Sequence, residues 1–132
     1  MSRDNTREGR KVLVIDDISG VRESLSIALT AAGFAVTALS NGREGLTVLE
    51  QDNFDAVVTD IWMPEMDGLN LIKEIRERQP ELRIFAVTGG GPRLSIETAG
   101  SLASVWGAER VFIKPFDEAK LIDALKAPPH AG

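Results

Sequence analysis

The sequence predicts an α/β fold: one doubly wound, five-stranded parallel sheet with helices on both faces. Two observations carry this. Five short apolar runs alternate with longer stretches whose apolar residues recur at helical spacing. The first run is apolar at successive positions, as a strand covered on both sides must be. A chain of 132 residues, 43% hydrophobic and 27% charged, has room for one domain with a two-sided core but not for two ordinary domains.

Each element has its own signal. Val12–Ile15 is the first strand. Val21, Leu25, Ala28, Leu29 and Ala32 form the stripe of the first helix, closed by Gly33. Ala35–Leu39 is the second strand, and a short helix carrying Leu46 and Leu49 starts after Asn41-Gly42. Ala56–Thr59 is the third strand. Leu69, Ile72 and Ile75 mark the third helix, stopped before Pro80. Ile84–Val87 is the fourth strand. Ile96, Ala99 and Ala103 mark a weaker helix, placed at Ser95 to Val105. Val111–Ile113 is the fifth strand, and Leu121, Ile122 and Leu125 mark the last helix. β-branched residues are frequent in the strand runs. Residues 1–10 read as a flexible leader, 11–126 as the domain, and 127–132 as a disordered tail, because Pro128-Pro129 cannot continue a helix. Phe34, Phe54 and Trp106 read as core.

Composition removes several function classes. No run approaches the roughly 18 apolar residues of a membrane helix, and the polar start has no signal-peptide pattern. Cysteine is absent, which excludes disulfides and thiolate chemistry. The sole histidine, His130, makes a histidine metal site or a Ser-His-Asp triad untenable. A net charge of −5 argues against a nucleic-acid-binding face. The expectation is a cytoplasmic domain that binds neither membrane nor nucleic acid.

Parallel α/β sheets bind ligands beyond the carboxyl ends of their strands. There the sequence places Asp16-Asp17, Asp60, Thr88 with Gly89-Gly90-Gly91, and Lys114-Pro115. Carboxylates gathered at one edge repel unless a cation sits among them, and hard oxygen ligands favour Mg²⁺. A carboxylate-held metal beside a lysine suits a phosphoryl group, whose oxygens both cations neutralise. Read singly, each residue has a plainer role. Asp17 or Ser19 caps the first helix, Asp60 and the segment 63–68 make turns, Thr88 to Gly91 is a flexible turn, and Lys114 is a solvated charge.

Taken together, Val14-Ile15-Asp16-Asp17, Asp60-Ile61-Trp62-Met63-Pro64-Glu65-Met66-Asp67-Gly68, Thr88-Gly89 and Lys114-Pro115-Phe116 resemble the receiver domain of two-component response regulators over residues 11–126. The resemblance implies the flavodoxin-like strand order 2-1-3-4-5. It implies Asp60 as the phosphoacceptor, a carboxylate nucleophile that becomes an aspartyl phosphate. It implies Mg²⁺, with Mn²⁺ as the alternative ion, held by Asp16, Asp17, Asp60 and the backbone carbonyl of Trp62. Thr88, Gly89 and Lys114 match the phosphoryl-binding and switch positions, and Lys114–Pro115 matches a cis-proline turn. The implied partners are a histidine kinase or histidine phosphotransfer protein and a downstream effector protein, with the domain a monomer or a phosphorylation-dependent dimer. With no effector region in the sequence, the expectation is a single-domain regulator that is not a turnover enzyme.

Three positions depart from the family. The aromatic usual three residues before the lysine is Val111 here, and Phe112 next to it faces the other side of the sheet. The segment from Thr88 to Lys114 is longer than usual and opens with Gly89-Gly90-Gly91-Pro92. The expectation is therefore a late, weak helix and a loop that phosphorylation orders. Trp62 borders the phosphoryl site, where it either screens attacking water and tunes phosphoryl lifetime or is an exposed aromatic with no role. Rival functions are a phosphatase using Asp60, opposed by Trp62 at the position of its usual second Asp; a flavin or nucleotide binder; and a pseudo-receiver interaction module not controlled by phosphorylation.

Overall fold

A computed structural model describes residues 10–61, 68–89 and 107–128. Within them the chain runs β1 (Lys11–Ile15), α1 (Ser19–Ala31), β2 (Ala35–Leu39), α2 (Gly42–Gln51), β3 (Ala56–Asp60), α3 (Gly68–Arg78), β4 (Arg83–Thr88), β5 (Arg110–Ile113) and α4 (Glu118–Lys126). The five strands are all parallel and lie in the order β2-β1-β3-β4-β5. This is the doubly wound sheet that the alternating pattern predicts. The predicted helix over 95–105, the loop before it, and Trp106 fall outside the described residues. No described helix is long and apolar enough to cross a membrane.

The period-two geometry of β1 explains the two-sided core. Leu13 and Ile15 point into one layer with Leu49, Ile72 and Ile75 from α2 and α3. Val12 and Val14 point into the other with Leu25, Leu29, Leu121 and Leu125 from α1 and α4. Val12, Leu13, Val14 and Ile15 are all fully buried, which is why the run shows no polar alternation. On β5 the parity separates Val111, packed against the first layer, from Phe112, buried in the second. Phe112 is therefore no substitute for an aromatic at position 111.

Local signals set the helix ends. Gly33 takes φ 102°, a left-handed conformation that glycine adopts without strain. Gly33 N–H then donates to Thr30 O and Phe34 N–H to Leu29 O, closing α1 in a Schellman motif. Asn41 Oδ1 caps α2 by accepting from Glu44 N at 2.9 Å, and Asp117 Oδ1 caps α4 by accepting from Ala119 N at 2.9 Å. Arg83 donates to the last carbonyls of α4, Ala124 O at 3.0 Å and Ala127 O at 2.9 Å. It also forms a two-pronged pair with Glu109.

The plainer reading of the residues before α1 does not hold, and two residues flanking the domain make contacts with it. Neither Asp17 nor Ser19 caps α1: the cap position is Ile18, with no side-chain cap bond. Arg10, assigned to the leader, stacks 5.4 Å over the Phe34 ring and donates to Leu125 O. Ala127, assigned to the tail, is held by Arg83.

Candidate functional site

Parallel pairing brings the candidate residues to one edge. β1 and β3 pair through Ile15 and Thr59, so Asp16 and Asp60 follow on adjacent strands. β3 and β4 pair Asp60 with Val87, and β4 and β5 pair Thr88 with Ile113. Asp60 and Thr88 are the last residues of their strands rather than the first residues beyond them. The Lys114 N–H continues the ladder by donating to Thr88 O at 2.8 Å. Lys114 is followed by a cis peptide bond to Pro115.

Carboxylate oxygens of Asp16, Asp17 and Asp60 all lie within 4.8 Å of one another. Asp16 and Asp60 are 1% and 4% exposed, whereas Asp17 is open to solvent. Lys114 Nζ donates to Asp60 Oδ2 at 3.1 Å and makes an ion pair with Asp16 Oδ2 at 3.3 Å. That second contact lacks hydrogen-bond alignment, so among the described residues Asp16 Oδ2 is buried without a hydrogen-bond partner. Asp16 Oδ1 accepts from Ile18 N at 2.9 Å. Burial, the largest influence on the Lys114 ammonium, pushes its pKa down. The hydrogen bond and charge of Asp60, with Asp16 adding, outweigh burial, and the net shift is upward from 10.5.

This donor set fits a hard divalent cation. It offers three close carboxylates, one with a buried oxygen that among the described residues is ion-paired to Lys114 but accepts no hydrogen bond, and all-oxygen ligation suits Mg²⁺. Thr88 is fully buried at the end of β4. A Cβ at Gly89 would meet Lys114 Cβ at 3.6 Å, an ordinary contact, so space alone does not require glycine there. Beside Lys114 a groove of about 600 Å³ runs between α1 and the β5–α4 connection, past Val21, Ser24, Gly89, Pro115 and Phe116. Trp62, its carbonyl, and the turn at 63–67 fall outside the described residues. One contact escaped the sequence reading: Arg22 Nη1 donates to Asp16 O at 2.7 Å. Its only signal is a cation at the end of the first turn after the acidic pair.

A doubly wound sheet with three carboxylates and a lysine gathered at its carboxyl edge defines a class of signalling domain, and the family comparison agrees. The profile of the response regulator receiver domain matches residues 12–126, and the chain belongs to that family, part of two-component signal transduction. It is similar to the chemotaxis protein CheY of Thermotoga maritima, 33% identical over 118 residues that cover 89% of this chain and 95% of that protein. It is also similar to the response regulator MprA of Mycolicibacterium vanbaalenii, 36% identical over 117 residues, 89% of this chain but 49% of MprA. The chain thus spans about half the length of MprA, and less of some other relatives. Among solved structures, the response regulator TrrA of Thermotoga maritima, in complex with Mg²⁺ and BeF, matches with a TM-score of 0.78 at 29% identity, covering 89% of this chain and 96% of that one.

Proposed function

We propose that this receiver domain takes a phosphoryl group onto Asp60 from a phosphohistidine donor and changes its protein contacts in response. The observation that carries the reading is Lys114 Nζ at 3.1 Å from Asp60 Oδ2, with the Asp16 and Asp17 carboxylates in the same cluster. The similarity to TrrA, solved with Mg²⁺ and BeF, supports the same chemistry here.

In this reading an Asp60 carboxylate oxygen attacks phosphorus, the bond from phosphorus to the donor imidazole nitrogen breaks, and the imidazole leaves with its electron pair and takes a proton. Asp16, Asp17, Asp60 and the Trp62 carbonyl would hold Mg²⁺, or Mn²⁺ in its place, which when bound neutralises charge on the carboxylates and the transferring group. Lys114, already drawn to Asp60, pairs with the phosphoryl oxygens. Thr88 and the Gly89 backbone close over them. A histidine kinase or phosphotransfer protein presents the phosphohistidine, and the groove beside Lys114 is a surface on which it could dock. The phosphorylated state engages a downstream effector, as a monomer or by dimerising, in the cytoplasm. The domain works as a switch rather than a turnover enzyme.

Intact mass after incubation with acetyl phosphate and Mg²⁺ tests the reading. One added phosphoryl group is expected for wild type, and none without Mg²⁺ or in Asp60→Ala. Failure of both acetyl phosphate and Mg²⁺–beryllofluoride to act on the wild type would leave a pseudo-receiver interaction module as the better account.

A further inference from the structure

The β1–α1 connection is three residues long, Asp16-Asp17-Ile18, and two of them belong to the carboxylate cluster. What fixes so short a loop decides where those carboxylates point. Asp16 is tied at its N–H, which donates to Leu39 O at 3.1 Å, and at Oδ1, which accepts from Ile18 N at 2.9 Å. Its carbonyl is held from the helix side by Arg22 Nη1 at 2.7 Å.

Arg22 stands where helix electrostatics disfavour it. A cation in the first turn opposes the macrodipole. The first turn of α1 carries no acidic residue to offset it, and no side chain caps the helix. Ser19 and Gly20 are also weaker helix formers than alanine. A residue that works against its own helix, and commits a guanidinium nitrogen to one loop carbonyl, is placed for something other than helix stability.

We propose that Arg22 is a positioning residue for the divalent-cation site: by clasping Asp16 O it holds the loop in the one geometry that turns both Asp16 and Asp17 toward Asp60. The inference rests on the reading of that cluster as a cation site. Position and charge predict opposite signs here. As a charge alone, a guanidinium beside the cluster repels Mg²⁺, so its removal tightens binding. As a clasp, its removal loosens the ligands, and losing a group that orients metal ligands typically weakens binding about tenfold or more.

Isothermal titration with Mg²⁺, for wild type, Arg22→Met and Arg22→Lys, separates the two. Thermal unfolding in EDTA is followed in parallel. The expected result is about tenfold weaker Mg²⁺ binding in Arg22→Met, with the metal-free Tm moved by no more than about 4 °C. Arg22→Lys recovers part of the affinity, because an ammonium also donates to the Asp16 carbonyl. Equal or tighter binding by Arg22→Met overturns the proposal. So does a metal-free Tm lowered by more than about 10 °C in both variants, which makes the role one of folding. A wild type that takes up no Mg²⁺ overturns the cation-site reading itself, and this inference with it.

Discussion

Lys114 and Asp60 are 54 residues apart in sequence, and their side chains meet at 3.1 Å at the carboxyl edge of the sheet. Asp16 joins them at 3.3 Å, so one ammonium faces two buried carboxylates. Lys114→Met removes the cation and leaves both carboxylates facing each other out of water. Breaking such an arrangement from one side is costly, about 2–3 kcal/mol for a lysine that keeps some solvent contact. Urea unfolding in EDTA should show that loss. Millimolar Mg²⁺ should stabilise the variant more than the wild type, because the ion supplies the missing positive charge. Equal stability of the two proteins in EDTA would contradict the coupling.

The same contacts set a pH dependence. The net shift of Lys114 is upward from 10.5, so the folded protein holds this proton more tightly than the unfolded chain. The stabilisation is then fully present below about pH 10.5 and is lost as pH rises through the higher folded value. The difference in unfolding free energy between wild type and Lys114→Met should be flat from neutral pH to about pH 10 and shrink above it. Taking a difference cancels the titration of the other lysines. A gap that closes between pH 7 and 9 would assign the effect to another group.

How much of this was legible in the sequence depends on the range of each interaction. β1 was legible because Val12–Ile15 is apolar at both parities, a pattern that only a doubly covered strand needs. The end of α1 was legible because Gly33 follows the last apolar residue of the stripe. The start of α1 was not. Neither Asp17 nor Ser19 caps it; the Asp16 carboxylate instead accepts from Ile18 N in the preceding loop, while Arg22 holds the Asp16 carbonyl. Sequence alone could gather Asp16, Asp17, Asp60 and Lys114 at one edge through topology. Which oxygen of Asp16 would be left without a hydrogen bond depends on side-chain angles that no spacing encodes. Arg10 read as leader because its neighbours are polar, and its packing on Phe34 lies across the fold.

Asp17 separates metal binding from folding. Its carboxylate belongs to the cluster, yet the side chain is exposed. Asp17→Asn keeps the shape and removes one of three like charges. Unfolding free energy in EDTA should change by no more than about 0.5 kcal/mol. Mg²⁺ affinity should fall at least about tenfold. Calorimetric titration beside urea unfolding checks both. Unchanged Mg²⁺ affinity would remove Asp17 from the cation site.

Arg76 holds the return of the chain to β5, the strand that delivers Lys114. Its Nη2 donates to Gly107 O at 2.8 Å, and its Nη1 donates to Pro80 O. Gly107 has φ 129°, and a Cβ there would stand 2.7 Å from Arg76 Nε. Gly107→Ala therefore meets two separate penalties, an unfavourable backbone region and displacement of the guanidinium, together about 2–3 kcal/mol. The two penalties can be told apart by a double-mutant cycle. In an Arg76→Met background the guanidinium is gone, and only the backbone strain, about 1 kcal/mol, remains to be felt. Gly107→Ala should thus cost less in that background than in the wild type when both are measured by urea unfolding. Equal costs in the two backgrounds would mean that the close approach of Arg76 to Gly107 has no energetic consequence.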